Sequence, residues 1–121
     1  MILPLIIVMV FVTLMSLKVE KESPISTLSR QSARYAYAAE QDQAPLVSLL
    51  HANYATGYLW ALKDIAREEE INSTLGPNMS KKLELHVTKV QDQATRKATK
   101  VCPGLVTPYS NIDILRLAGN V

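Results

Sequence analysis

The first seventeen residues, MILPLIIVMVFVTLMSL, contain no charged side chain. Nothing else in the chain restricts its fold as strongly, because a helix built from them has no polar face to turn toward water. At 1.5 Å per residue such a helix reaches ~26 Å, the short end of what a bilayer requires. Pro4 falls in its first turn, where a helix tolerates proline. A cleaved signal peptide fits less well: no basic residue precedes the run, and its exit, LMSLKVEKE, lacks a small-x-small pattern. Burial of the segment inside a protein assembly is the third alternative. The sequence therefore predicts a transmembrane anchor at 1–17, a linker at 18–26 and a helical domain at 27–121. Lys18, Lys21, Arg30 and Arg34 follow the apolar run and no basic side chain precedes it. The positive-inside rule then places the C-terminal domain on the cytoplasmic side of the membrane, as a single-pass protein.

The remainder is long enough for one small domain, and a chain that is 48% hydrophobic and 20% charged is not a disordered composition. A domain of this size has little core to spare, so added helices, a membrane or protein neighbours would all help it. Its net charge of +2 gives no argument for specific nucleic-acid binding. Cys102 is the only cysteine, which excludes an intramolecular disulfide and a cysteine-based zinc site.

Helical signals fill the rest. TLSRQSARYAYAAEQ, 27–41, is built from good helix formers, with Leu28, Tyr35, Ala36 and Ala39 on one side. Asp42 is placed to cap a second helix over about 44–72, with Pro45 in its first turn. Gly76-Pro77 breaks that helix. A third, about 79–101, carries Met79, Leu83, Val87, Val90, Ala94, Ala98 and Val101 in an eleven-residue rhythm that favours straight or slightly right-handed pairing. Cys102-Pro103-Gly104 stops it. Ser110 and Asp113 form a candidate capping pair before a short helix at 111–118. No alternating strand pattern and no repeat occurs. The predicted fold is all-α: an N-terminal transmembrane anchor helix, then a small helical-hairpin domain of three main helices and a short C-terminal helix.

Charge fits a hairpin. Residues 64–70, DIAREEE, set four acids against one arginine, and residues 80–100 set six bases against Glu84 and Asp92. In an uninterrupted 44–72 helix the acids sit at a C-terminus, and Lys81 and Lys82 sit at the next N-terminus; both placements oppose the helix dipole. An antiparallel turn at 73–79 is expected to bring Glu68, Glu69 and Glu70 to Lys81 and Lys82. Two sequons, Asn72-Ser73-Thr74 and Asn78-Met79-Ser80, fall in that predicted loop. On a cytoplasmic domain they read as ordinary polar turn residues.

Catalytic signatures are sparse. No Gly-rich phosphate loop, Gly-x-Ser-x-Gly, HExxH or Glu-x-x-His occurs. On a helical wheel His51 falls between Tyr58 and Leu62, within the apolar arc, as a hydrogen-bonded core histidine does. As a base it needs a partner, and Cys102 is the one thiol in the sequence. Asp64 and Glu68, an i,i+4 carboxylate pair, read as a solvated helix end. Lys81, Lys82, Lys89, Arg96, Lys97 and Lys100 offer an anionic contact, to phosphate, lipid headgroups or an acidic protein face, without an aromatic residue for base stacking. No catalytic residue, cofactor or metal is expected.

What PLVSLLHANYATGYLWALKDI, 45–65, does offer is contact surface. Asn53, Gly57 and Ala61 recur every four residues as a narrow small-residue strip where another helix can approach. Tyr54 and Tyr58 border it on one side and Trp60 on the other. The polar sector is only Thr56, Lys63 and Arg67. A helix apolar over most of its circumference needs cover on several sides, more than one hairpin partner supplies.

RQSARYAYAAEQDQAPLVSLLHANYATGYLWALKDI and VQDQATRKATKVCPG resemble small proteins encoded by large nucleocytoplasmic DNA viruses of algae and protists; the resemblance spans about 30–104 and is carried by the AAEQD and HANYATGYLWALKDI blocks. That family implies no catalytic residues. It implies a setting: an internal virion membrane whose cytoplasmic face points at an icosahedral capsid. The expected function is a membrane-anchored structural protein, a minor virion component linking membrane to capsid. Its expected partners are the lipid bilayer and other protein chains. The alternatives are a non-virion assembly or host-membrane adaptor and, from another class, a small membrane enzyme using His51.

Overall fold

The computed structural model describes residues 1–18, 22–105, 112–117 and 119. Among these the chain is entirely helical, in the order α1 (Ile2–Lys18), α2 (Pro24–Gln41), α3 (Pro45–Ile65), α4 (Glu68–Leu75), α5 (Met79–Val101) and α6 (Ile112–Leu117). α2, α3 and α5 form the body, with α4 packed against α5 and α2. Neither α1 nor α6 forms an extensive contact with another helix among the described residues.

α1 has 17 residues, and its side chains from Ile2 to Leu14 are all exposed. No helix among the described residues is long and apolar enough to cross a membrane. The shortfall of α1 is one of length, since ~26 Å of helix meets a hydrocarbon core of ~30 Å. Part of the expected 18–26 linker, 19–21, lies outside the described residues. The rest is shorter than expected, because α2 begins at Pro24. Ser23 is its N-cap: the Ser23 hydroxyl accepts from the Ser26 N–H at 3.2 Å, and Pro24 occupies the first turn, where no donor is needed.

The helix expected at 44–72 is two helices. Backbone dihedrals turn extended at Ala66 and Arg67, and the reason is electrostatic as well as apolar. A break here moves Glu68, Glu69 and Glu70 from a helix C-terminus to the first turn of α4, where the dipole favours them. It also folds Ile71 back onto Leu62 and Ala66, a small second core flanked by Ile25, Leu28, Leu75 and Leu83. The expected pairing of these acids with Lys81 and Lys82 does not occur among the described residues. Glu70 instead accepts from its own N-cap, from Arg67 Nε at 3.1 Å and from the Arg67 backbone N–H at 3.4 Å. Side-chain bonding to Arg67, then the backbone bond, holds the Glu70 carboxyl below its usual 4.5. The hairpin is tied elsewhere, by Lys63 to Glu84 at 2.8 Å.

The first sequon is not in a loop: Asn72 lies within α4, and its Oδ1 accepts the Ser80 N–H of α5 at 2.9 Å. That bond satisfies one of the donors left open at the start of α5. The turn between, Gly76-Pro77-Asn78, needs positive φ twice, 124° at Gly76 and 59° at Asn78, and uses the two residue types that tolerate it.

The main core is made of small residues. Ala36 and Ala39 of α2, Ala52, Ala55 and Leu59 of α3, and Val87, Val90, Ala94 of α5 are buried together, and Ala98 of α5 is also buried. Two serines lock the α2–α3 pair across it. The Ser32 hydroxyl donates to the Ala55 carbonyl at 2.8 Å, and the Ser48 hydroxyl donates to the Ala39 carbonyl at 2.6 Å. Side chains this short let the helix backbones come close, as the carbonyl bonds require. The eleven-residue rhythm of α5 is seen in its middle, with Val87, Val90, Ala94 and Ala98 buried, while Met79 and Val101 at its ends are exposed. Of the expected capping pair, Ser110 lies outside the described residues.

Candidate functional site

α3 has two stripes of small residues, and the chain uses the one the wheel did not single out. Ser48, Ala52 and Ala55, continued by Leu59 and Leu62, face inward. Asn53 and Gly57 are exposed and Ala61 is half-buried. The close approach within this chain is therefore made by Ala and Ser, and the Asn53–Gly57–Ala61 strip stays on the outside. A methyl group built on Gly57 would meet nothing within 4 Å. Periodicity reports that a small stripe exists; which of two such stripes faces inward depends on where α2 and α5 lie.

The strip forms the floor of a groove. Asn53, Tyr54, Gly57, Tyr58 and Ala61 of α3, with Leu28 and Tyr35 of α2, line an open volume of ≈ 450 Å³. Five of the six expected contact residues are thus brought together. Trp60 is not among them: it projects from the opposite flank of the same face, toward α5, with Lys63 Nζ 4.8 Å from its ring centroid. On that flank the Gln91 amide of α5 also donates to the Asn53 carbonyl oxygen at 3.2 Å.

The wall of the groove is aromatic. Tyr35 stacks on Tyr58 with ring centroids 5.7 Å apart, and Tyr54 meets it edge-on at 5.3 Å. His51 completes the group, 5.8 Å from Tyr35. Tyr35 was legible only as part of an α2 stripe; that it meets three α3 rings follows from the tight serine-locked pairing.

His51 is half-buried and faces α2, as its place in the apolar arc implied. Its partner is Asp42, with Nδ1 and Oδ2 2.5 Å apart. Asp42 was expected to cap the following helix. It closes α2 instead: its own N–H donates to the Ala38 carbonyl, and α3 starts at Ala44 without a side-chain cap. An ionised Asp42 requires the proton on Nδ1, which fixes the ring's tautomer and orientation. No hydroxyl or thiol is bonded to His51 among the described residues, and the nearby Ser48 hydroxyl is committed to Ala39. The other histidine makes a similar tie: His86 of α5 lies 2.6 Å from Glu40 of α2. Both histidines thus join the C-terminal end of α2 to its neighbours.

The basic residues of α5 do not make a uniform positive surface. Lys81, Lys89 and Arg96 share a groove with Glu84 and Asp92, so the strip alternates in sign. Cys102 closes α5 as its C-cap and is half-buried. Among the described residues no three His, Cys, Asp or Glu side chains converge as metal ligands would.

What stands out is apolar exposure. Leu46, Val47, Leu50, Tyr54, Trp60 and Ile65 all face outward on α3, at 43% (Val47) to 57% (Trp60) of their full area. No protein-family model, curated protein or solved structure matches this chain.

Proposed function

We propose that this chain is a membrane-associated structural protein that holds a compact helical unit at a lipid surface and presents the outer face of α3 to other protein. The observation that carries this reading is the pairing of two unpartnered apolar surfaces in one small chain. α1 is apolar on every side and exposed along its described side chains, and α3 is apolar on the side that α2 and α5 leave open. Contiguous exposed apolar surfaces of this kind mark places where lipid or other protein docks. A 17-residue helix is about 4 Å short of an average hydrocarbon core, so α1 as an anchor calls for a thin membrane or local thinning. Lys18 and Lys21 after the apolar run support a cytoplasmic domain.

The resemblance to proteins of large DNA viruses supplies a specific version: a minor virion protein between an internal membrane and the capsid. Particle proteomics tests that version, and absence from purified virions removes it.

The general reading is tested by flotation of the full chain with phosphatidylcholine vesicles, followed by alkaline carbonate washing. The expected result is flotation that survives the wash. Replacing Ile6, Val10 and Leu14 by Asp should abolish it while leaving the helical content of α2–α5 unchanged. A wild-type chain that stays at the bottom of the gradient overturns the proposal.

A further inference from the structure

The outer face of α3 is complementary to itself. On a helix turning 100° per residue, Trp60 lies about 60° to one side of Gly57, and Tyr54 and Tyr58 lie about 60° and 100° to the other. The face therefore carries a projecting indole on its α5 flank, a groove of ≈ 450 Å³ on its α2 flank, and between them a residue with open space where a Cβ would be. We infer that the occupant of this face is a second copy of the chain, paired in parallel through a two-fold axis along α3, with Gly57 against Gly57 and each Trp60 seated in its partner's tyrosine-lined groove.

Parallel pairing is what the arrangement requires. A two-fold axis running along the helices keeps the level of each residue and exchanges left flank for right. Trp60 of one copy then meets the flank that holds Tyr58 and Ala61 at its own height, with Tyr54 about 9 Å further toward the N-terminus. An antiparallel pair would set Trp60 opposite the Asn53 flank, where Gln91 and Lys63 already occupy the surface. The groove is roomy enough for an indole, and its Tyr35–Tyr58 stack and Tyr54 edge present the ring surfaces that aromatic pairs favour.

Area supports a copy of the chain over a smaller occupant. Leu46, Val47, Leu50, Tyr54, Trp60 and Ile65, each about half exposed, leave on the order of 600 Å² of largely apolar surface on one helix face, at the top of what a monomer commonly exposes. Two such faces together remove at most about 1,200 Å², the size at which specific interfaces begin. A large aromatic anchor beside a close backbone approach is also where binding energy concentrates. This inference rests on the reading of α3 as a contact surface, and does not depend on whether α1 enters lipid.

The test is sedimentation equilibrium of the full chain in a density-matched nonionic detergent. The expected result is a monomer–dimer equilibrium at micromolar protein. Trp60→Ala should weaken it at least tenfold. Gly57→Leu should do the same with helical content retained, because the added side chain has room in the monomer. Direction is read by cross-linking in a Cys102→Ser background. Gly57→Cys should form a disulfide to itself, and Leu50→Cys should link to itself through a short bismaleimide. A chain that stays monomeric overturns the inference, and so does a dimer that neither Trp60→Ala nor Gly57→Leu weakens. A Gly57→Cys link without the Leu50→Cys link overturns the parallel arrangement. Failure here with intact vesicle flotation removes the dimer and leaves membrane association standing; the reverse pattern removes membrane association alone.

Discussion

The imidazole of His51 and the carboxylate of Asp42 are joined across the α2–α3 turn, Nδ1 to Oδ2 at 2.5 Å, each about a quarter exposed. One residue closes α2 and the other stands in the third turn's worth of chain after it, so the pair sets how sharply the chain reverses. Its neighbours are rings, with Tyr35 on α2 and Tyr54 on α3 both close to His51.

A partly buried, charge-assisted bond of this kind contributes on the order of 1–2 kcal/mol. Asp42→Ala and His51→Ala should each lower the urea midpoint accordingly, and the double substitution should cost less than the sum of the two. A double-mutant cycle in urea measures this; additive losses would mean the pair does not couple. His51→Ala also addresses catalysis. A loss of an activity from a variant that remains folded would show that packing is not all this residue does.

The small-residue core makes a sharper expectation. Ala55 is fully buried where α3 meets α2, and its carbonyl receives the Ser32 hydroxyl. Ala55→Leu should destabilise by about 1–3 kcal/mol or more through overpacking, whereas Ala61→Leu on the outer strip should leave thermal stability nearly unchanged. Thermal unfolding followed by circular dichroism compares the two. Equal losses would place the inward stripe wrongly.

How much of this was legible in the sequence depends on whether one helix or several decide the answer. Local rules located α5 at 79–101 and the stop at Cys102, because periodicity and a Pro-Gly pair suffice there. On α3 they singled out the Asn53–Gly57–Ala61 strip and not the Ser48–Ala52–Ala55 stripe that faces inward, since which stripe is buried is set by α2 and α5. They missed the break at Ala66–Arg67, where no proline or glycine marks it; the signal was present as three acids that a continuous helix would place against its dipole. The Asp42–His51 tie spans a turn, which no single-helix wheel represents. The α3 residues of the expected strip line the groove, while Leu28 and Tyr35 enter it from another helix.

Acid should loosen the start of α4. The folded-state carboxyl of Glu70 titrates below its usual 4.5 because it accepts from Arg67. A depressed carboxyl contributes stability that is present above the unfolded value and is lost as pH falls through the folded one. Protection of the α4 amides against hydrogen exchange, taken relative to the intrinsic exchange rate at each pH, should therefore fall below about pH 4.5, and Glu70→Gln should remove that pH-dependent part. The carboxylate side chain is about half exposed, which keeps the effect local to the start of α4. Exchange in α4 that tracks the rest of the domain at every pH would contradict this.

Trp60 is the only tryptophan and stands 57% exposed on the face that the account assigns to another chain. Acrylamide quenching of its fluorescence, in the full chain reconstituted into vesicles over a range of protein-to-lipid ratios, tests that assignment most directly. The expected result is an accessible indole at low protein density and progressive protection as density rises. Quenching that is the same at every density, whether open to solvent throughout or shielded throughout by lipid, would contradict it.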